Sequence, residues 1–167
     1  DTHQFQPTLA SITKDFKDQP LLQARLWQSL ADSLAKLGRI EAATEPQRLA
    51  LEQRRRLLGD DDPLTLVSLR SRGALFLNKG QFKEAEADFR AATAGMQRVL
   101  GNNDPETLRT QFVLSSAFLV QGRTEEGLKS AQDVVDRSRQ ALGADDPITL
   151  DAQSLAGFVF MRLQKFP

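Results

Sequence analysis

Acidic residues recur in clusters along the chain, and clustered carboxylates are the side chains that would hold a calcium ion. The clusters are Asp60 to Asp62, and Asp145 with Asp146. A calcium loop needs alternating oxygen ligands around a tight turn and a distal bidentate glutamate. These clusters have neither feature, so we predict no metal site.

Three consecutive arginines, Arg54 to Arg56, raise the question of nucleic-acid binding. They lie near the predicted end of a helix, where cations interact favourably with the helix dipole, and an acidic loop follows directly. The 22 Lys plus Arg residues match 22 Asp plus Glu residues, so the formal net charge is zero, and no tyrosine is available for base stacking. We therefore predict no nucleic-acid partner.

The residues needed for catalysis are scarce. His3 is the only histidine, cysteine is absent, and the glycines lead into aspartate-bearing loops that would repel a phosphate. The longest apolar-looking stretch, residues 112–120, is interrupted by serines and is far short of a bilayer span. We predict a chain that is not an enzyme, needs no cofactor and does not insert into a membrane.

A nine-residue signature gives the acidic clusters a structural meaning, because it returns every 42 residues, at 58–66, 100–108 and 142–150. In the first copy Gly59 suits a left-handed helix terminus, Asp62 suits the N-cap of the next helix, and Pro63 suits its first position. The equivalent residues are Gly101, Asp104 and Pro105, then Gly143, Asp146 and Pro147. A fixed period of this size is typical of stacked repeats.

Each repeat carries two apolar segments with spacings of three and four, which predicts two helices joined at Gly38, Gly80 or Gly122. We predict about eight helices, as three hairpins between two single helices. In the first repeat 18–20 stand in for the cap, and Pro46 should either kink the second helix or shorten its start.

These residues resemble the tetratricopeptide repeat. The middle repeat carries the resemblance in Leu69, Gly73, Phe76, Gly80, Phe82, Ala85, Phe89 and Ala92. Arg72 departs from the usual leucine, and Gly127 departs from the usual alanine. We expect these departures to loosen local packing without threatening the fold. The period and the Leu-Gly-x-x-Asp-Pro-x-Thr-Leu signature are more specifically similar to the kinesin-light-chain type.

The resemblance implies an all-α fold, a right-handed superhelical α-solenoid of helical hairpins. We expect one array over 1–167. Its parts are the last helix of an upstream unit (1–17), three repeats (20–58, 62–100 and 104–142) and the start of a fourth (146–167). Because both ends fall inside repeats, we expect a fragment of a longer protein. A weaker similarity, around 18–37, is to bacterial signalling proteins, especially the non-catalytic region of serine/threonine kinases. The sequence leaves the compartment unknown; we expect the cytoplasm, or the periplasm if a membrane span precedes the fragment.

In such a superhelix the first helix of each hairpin lines a concave groove, and residues at i, i+4 and i+8 face it. The predicted groove residues are Gln28, Asp32, Lys36, Arg70, Ala74, Asn78, Phe112, Ser116, Val120, Ser154, Phe158 and Arg162. Arg70 and Asn78 are placed to bond a peptide backbone or carboxylate, as equivalent positions do in the family. Phe112 and Phe158 either contact a ligand or fill core between repeats.

Two functions remain open. The first is a protein–protein interaction module that takes up a peptide segment or partner helix in the groove. The second is a structural segment that forms a homodimer through its fourth repeat, where Leu155, Phe160 and Phe166 lack a partner helix.

Overall fold

The computed structural model describes residues 5–165, with side chains up to residue 161. Within this range the chain forms eight α-helices and no strand. The helices are α1 (Gln6–Asp15), α2 (Pro20–Lys36), α3 (Ile40–Leu58), α4 (Pro63–Asn78), α5 (Phe82–Leu100), α6 (Pro105–Val120), α7 (Thr124–Ala141) and α8 (Pro147–Lys165). The predicted eight helices are confirmed. Of the three predicted hairpins, the pairs α2 with α3 and α6 with α7 each pack together. His3 and Phe166 lie outside the described residues.

The chain divides into two compact units, residues 1–88 and 89–167, and the boundary falls inside α5. In unit 1, α1 packs on the first hairpin, where Ile12 is buried against Trp27 and Ala50. Further along the same hairpin, Leu34 and Ala43 pack against Leu75 of α4. The core of unit 1 therefore lies between successive helices.

The core of unit 2 lies among α6, α7 and α8. Leu108, Val134 and Val135 are buried against Ile148 and Ala152. These residues come from three consecutive helices, so the last helix is held by the hairpin before it.

The 42-residue signature has the structural role predicted for it. The first helix of the second hairpin is capped by Asp62, whose Oδ1 accepts a hydrogen bond from the Leu64 backbone N–H at 2.8 Å. The Asp104 and Asp146 carboxylates accept equivalent bonds, both at 2.8 Å. Gly59 adopts a φ of 88°, which suits glycine because no Cβ meets the backbone. The carboxylates thus stabilise helix ends.

The first repeat differs from the other two. At the start of α2 the N-cap residue is Gln19, and no side chain caps the helix, so Asp18 does not replace the capping aspartate. Pro46 lies inside a continuous α3 that begins at Ile40, so a shortened helix start is wrong as a prediction. The kink stays a prediction.

Both departures from the family pattern have a structural explanation. Arg72 lies opposite Asp88 of α5, and its Nε and Nη2 donate to the two carboxylate oxygens at 2.7 and 2.8 Å. Gly127 is buried so closely against α6 that a Cβ there would lie 2.4 Å from Leu119 Cδ2 and 3.1 Å from the Ser115 carbonyl oxygen. The prediction of looser packing is therefore wrong at both positions. Arg72 is ion-paired, and the surroundings of Gly127 leave no space for a Cβ.

Candidate functional site

The predicted groove residues of unit 1 lie on α2 and α4, which contact each other. Asp32, Lys36, Ala74 and Asn78 line one pocket of about 230 Å³, the α2/α4 pocket. Its remaining lining residues are mostly small: Ala31, Ala35, Gln47, Ser71 and Leu75. The structure therefore brings together four of the six groove residues predicted in this unit.

The other two predicted residues of unit 1 lie apart from this pocket lining. Gln28 is only 6% exposed, and its side chain is engaged within the protein. Arg70 is half-buried on α4 and has a partner of its own. The exposed polar residues of the pocket are consequently Asp32, Lys36 and Asn78, and Ser71 is half-buried beside them.

Beneath the pocket lies a buried polar network that crosses from α3 through α4 to α2. Arg54 Nη1 donates to Ser68 Oγ at 2.6 Å. Ser68 Oγ donates to Gln28 Oε1 at 2.8 Å, and Gln28 Nε2 donates to Asp32 Oδ1 at 2.9 Å. Gln47 joins the three helices, because its Oε1 accepts from Gln28 at 2.7 Å and its Nε2 donates to the Ser68 carbonyl at 2.7 Å. We call Arg54, Ser68, Gln28 and Asp32 the relay.

The charged donor of this network, Arg54, lies at its buried end. Arg54 is 6% exposed, and burial lowers its pKa, whereas the carboxylates of Asp32 and Asp62 act in the opposite direction. Arg54 also donates to the Leu64 carbonyl at 3.0 Å. In the part of the chain that the structure describes, no carboxylate contacts Arg54, so the relay connects it to Asp32.

The predicted groove residues of unit 2 divide between core and surface. Phe112 is half-buried and packs against the core around Leu108, so its core interpretation holds. Val120, Ser154 and Phe158 are exposed, and Phe158 has an exposed fraction of 55%. Ser116 is half-buried, and its hydroxyl donates to the Phe112 carbonyl at 3.1 Å. The side chain of Arg162 lies outside the described residues.

A second concavity lies within unit 2, between α7 and α8, and has a volume of about 460 Å³. It is lined by Leu128, Gln132, Val135, Arg139, Gln153, Ala156, Gly157 and Phe160. Phe160 and Met161 are exposed at 54% and 58%. Leu155, by contrast, is half-buried. This apolar face is the one predicted to mediate self-association.

The arginine run does not form one basic patch. Arg54 is buried in the relay, and Arg55 Nε lies 2.8 Å from Asp60 Oδ1 of the following loop. Arg56 donates to the Gln53 side chain at 2.6 Å. Each arginine is therefore bound within the structure rather than displayed with its neighbours.

No group of three or more His, Cys, Asp or Glu side chains is arranged to hold a metal ion among the residues that the structure describes. Over the same part of the chain, no helix combines the length and the apolar character that crossing a bilayer requires.

The relay was missed by sequence reasoning, although a signal for it exists. Along α3, Gln47 and Arg54 share the spacing of Ala43 and Ala50, at i, i+4, i+7 and i+11, and therefore lie on the buried face. Polar residues on such a face require hydrogen-bonding partners. Their partners could not be assigned, because Ser68 is 21 residues away from Gln47.

Comparison with known proteins supports a helical repeat fold. Residues 22–97 match the family model of the tetratricopeptide repeat. No curated protein matches the sequence significantly.

Three solved structures share the fold. BtubC (BKLC) from P. vanneervenii has a TM-score of 0.77 at 17% identity, over 89% of this chain and 59% of that chain. A kinesin-light-chain-like protein from Podosopora anserina with nearly identical TPR-like repeats gives a TM-score of 0.71 at 19% identity, over 86% of this chain and 68% of that chain. A second structure described in the same way covers 99% of this chain and 90% of that chain, with a TM-score of 0.63 and 16% identity. Residues 22–97 are therefore tetratricopeptide repeats, and the chain has the all-α repeat fold of kinesin-light-chain-like proteins that its 42-residue signature predicted.

Proposed function

We propose that this chain is a non-catalytic module that takes up a peptide segment of a partner protein, and that the α2/α4 pocket is one of its binding positions. Tetratricopeptide repeats generally mediate protein–protein interactions, and their fold is typically non-catalytic. The observation that carries the proposal is the convergence of Asp32, Lys36, Ala74 and Asn78 on one pocket.

The pocket suits a peptide because small residues and hydrogen-bonding groups alternate in its lining. The alanines at 31, 35 and 74 allow a peptide backbone to approach the helices closely. Asn78 Nδ2 donates to the Ala74 carbonyl at 2.9 Å, which orients the amide and leaves its Oδ1 to accept a bond from a peptide N–H. An extended segment can thus be held by shape and by a few polar contacts.

The surface of unit 2 offers a different kind of contact. Val120 and Phe158 are exposed apolar residues on the first helices of their repeats, and Ser154 lies one turn before Phe158. Exposed large apolar side chains are favourable anchors for a partner. We place Phe158 and Val120 among the binding residues, and we assign Phe112 to the core.

A pocket-filling substitution tests the proposal. Ala74→Trp occupies the α2/α4 pocket, whereas Ala87→Trp adds the same side chain at an exposed position of α5 in the same unit. Peptides are first selected on the wild-type chain from a displayed library of random 12-residue sequences. Their affinities are then measured by fluorescence anisotropy. We expect Ala74→Trp to weaken binding by at least about tenfold and Ala87→Trp to change it little.

Circular dichroism of both variants confirms that they retain the wild-type helix content. The proposal fails if no peptide is enriched, or if peptides bind Ala74→Trp as tightly as the wild type.

Self-association through α8 is the second candidate, and the exposed Phe160 and Met161 beside the 460 Å³ concavity favour it. It predicts a molar mass in light scattering that rises with protein concentration and falls back in Phe160→Glu. A constant monomer mass over the accessible range eliminates this candidate.

The wider setting in a bacterial signalling protein, beside a serine/threonine kinase, stays a hypothesis from the sequence similarity around 18–37. It concerns the protein context of the chain rather than its fold. The sequence encoded on either side of these residues tests it directly.

A further inference from the structure

The relay ends at a carboxylate that the protein holds in place and leaves partly open. Asp32 is exposed and, within the described residues 5–161, is the only acidic residue that lines the α2/α4 pocket. Its Oδ1 is occupied by the Gln28 amide at 2.9 Å. Among the described residues nothing else bonds Asp32, so its second oxygen is open to a ligand.

The hydrogen bonds of the relay all point the same way. Arg54 donates to Ser68, Ser68 donates to Gln28, and Gln28 donates to Asp32. Successive bonds aligned in this way polarise one another. Since Gln28 is buried and also fixed by Gln47 at 2.7 Å, its amide cannot rotate freely, and the Asp32 carboxylate is oriented before any ligand arrives.

The lining around Asp32 fits the stem of a long basic side chain. Ala31, Ala35 and Ala74 provide small apolar contacts, and lysine or arginine can lay its methylene groups over such a surface while its charged head reaches a carboxylate. An acidic or phosphorylated segment would instead meet Asp32 with a like charge.

Lys36 limits the number of basic residues that the pocket accepts. It lies one helical turn after Asp32, is exposed, and makes no ion pair within the part of the chain that the structure describes. A second cation beside the first would meet the Lys36 ammonium. A single basic side chain is therefore favoured over a basic run.

We propose that the α2/α4 pocket selects a peptide segment with one lysine or arginine, whose cationic head pairs with Asp32, and that Gln28 and Ser68 are positioning residues for that carboxylate. This inference deepens the peptide-binding function proposed above and rests on it.

The test uses the same displayed library of random 12-residue peptides, selected on the wild-type chain and on Asp32→Asn. We expect peptides from the wild type to be enriched in a single basic residue, and peptides from Asp32→Asn to lack this bias. For one enriched peptide, replacing its basic residue by norleucine should weaken binding to the wild type by about fivefold, the size expected of a partly exposed ion pair. The same replacement should change binding to Asp32→Asn less than about twofold, and the wild-type preference should shrink at high salt.

Positioning is tested on the same pair of peptides. Gln28→Met removes the donor to Asp32 and should lower the preference for the basic peptide while the norleucine peptide still binds. Ser68→Ala, a smaller change in the relay, provides the same readout if Gln28→Met does not fold. An unchanged preference in the folded variant overturns the positioning role.

The outcomes separate the two levels of the proposal. If no peptide is enriched on the wild type, both the peptide-binding function and the basic-residue selectivity fail. If peptides are enriched without a basic bias, or if Asp32→Asn keeps that bias, the selectivity alone is overturned and peptide binding stands.

Discussion

Replacing Arg72 by leucine, the usual residue of the repeat family at this position, should destabilise this protein. Arg72 makes a bidentate ion pair with Asp88 at 2.7 and 2.8 Å, and the Asp88 side chain is only 9% exposed against 32% for Arg72. Arg72→Leu leaves the Asp88 carboxylate in a largely dry site without its partner. Removing one member of a fully buried pair costs about 3–5 kcal/mol.

The expected cost is smaller here because water reaches part of Arg72. The guanidinium also lies over the Phe76 ring at 5.6 Å from its centroid, a contact that leucine replaces only in part. We expect the free energy of unfolding to fall by about 2 kcal/mol, which corresponds to a decrease in Tm of about 4–8 °C for a chain of this size. Urea denaturation followed by circular dichroism measures the change.

A matched control comes from an ion pair of similar geometry at the surface. Arg48 contacts Glu45 at 2.6 Å and Glu52 at 2.7 Å, but all three side chains are about half exposed. Arg48→Leu should therefore cost less than about 1 kcal/mol. The double variant Arg72→Leu with Asp88→Leu should recover most of the lost stability, since it leaves no carboxylate unpaired. Equal losses in the Arg72 and Arg48 variants, or no recovery in the double variant, would refute the explanation from burial.

Two further substitutions test the helix ends and the close packing. Asp62→Ala removes the bond to the Leu64 backbone N–H and should lower the free energy of unfolding by about 1 kcal/mol, whereas Asp18→Ala, at a position that caps nothing, should leave it nearly unchanged in the same urea titration. Gly127→Ala places a Cβ 2.4 Å from Leu119 Cδ2 and should lower the free energy of unfolding by about 1 kcal/mol, in spite of the better helix propensity of alanine. This loss of stability should shrink in a Leu119→Ala background. An unchanged loss there would contradict steric conflict as its cause.

The repeat fold could be predicted from the sequence because its information is local. A glycine, an aspartate and a proline within five residues, as at 59–63, specify a helix end, a cap and a helix start without reference to the rest of the chain. Repetition at 42 residues then fixes the register of every helix. The first repeat shows the limit of this reasoning, since Asp18 has the right residue type near the right place and caps no helix.

The α2/α4 pocket was only partly predictable, because the burial of a residue on a helix face depends on how neighbouring helices pack against it. The i, i+4 and i+8 rule selected Asp32, Lys36 and Asn78, and all three line the pocket. The same rule placed Gln28 at the surface, whereas α3 and α4 cover it and supply its hydrogen-bonding partners. The distance along the chain between these partners hides the network from any local pattern.

Buried polar residues on the packed helix faces distinguish this chain from a repeat with a purely apolar core. A polar group placed in such a core is tolerated only when its partner is present, which is why Arg72 comes with Asp88 and Arg54 comes with Ser68. Arg72 and Asp88 bond each other and do not line the α2/α4 pocket, so we expect this pair to affect stability alone. The relay from Arg54 instead ends at the Asp32 carboxylate, which lines a pocket. The buried charge of Arg54 and the fixed position of Asp32 can therefore influence the binding of a ligand in that pocket. That difference in where the two networks end is the reason to look for binding selectivity at Asp32 and for folding effects at Asp88.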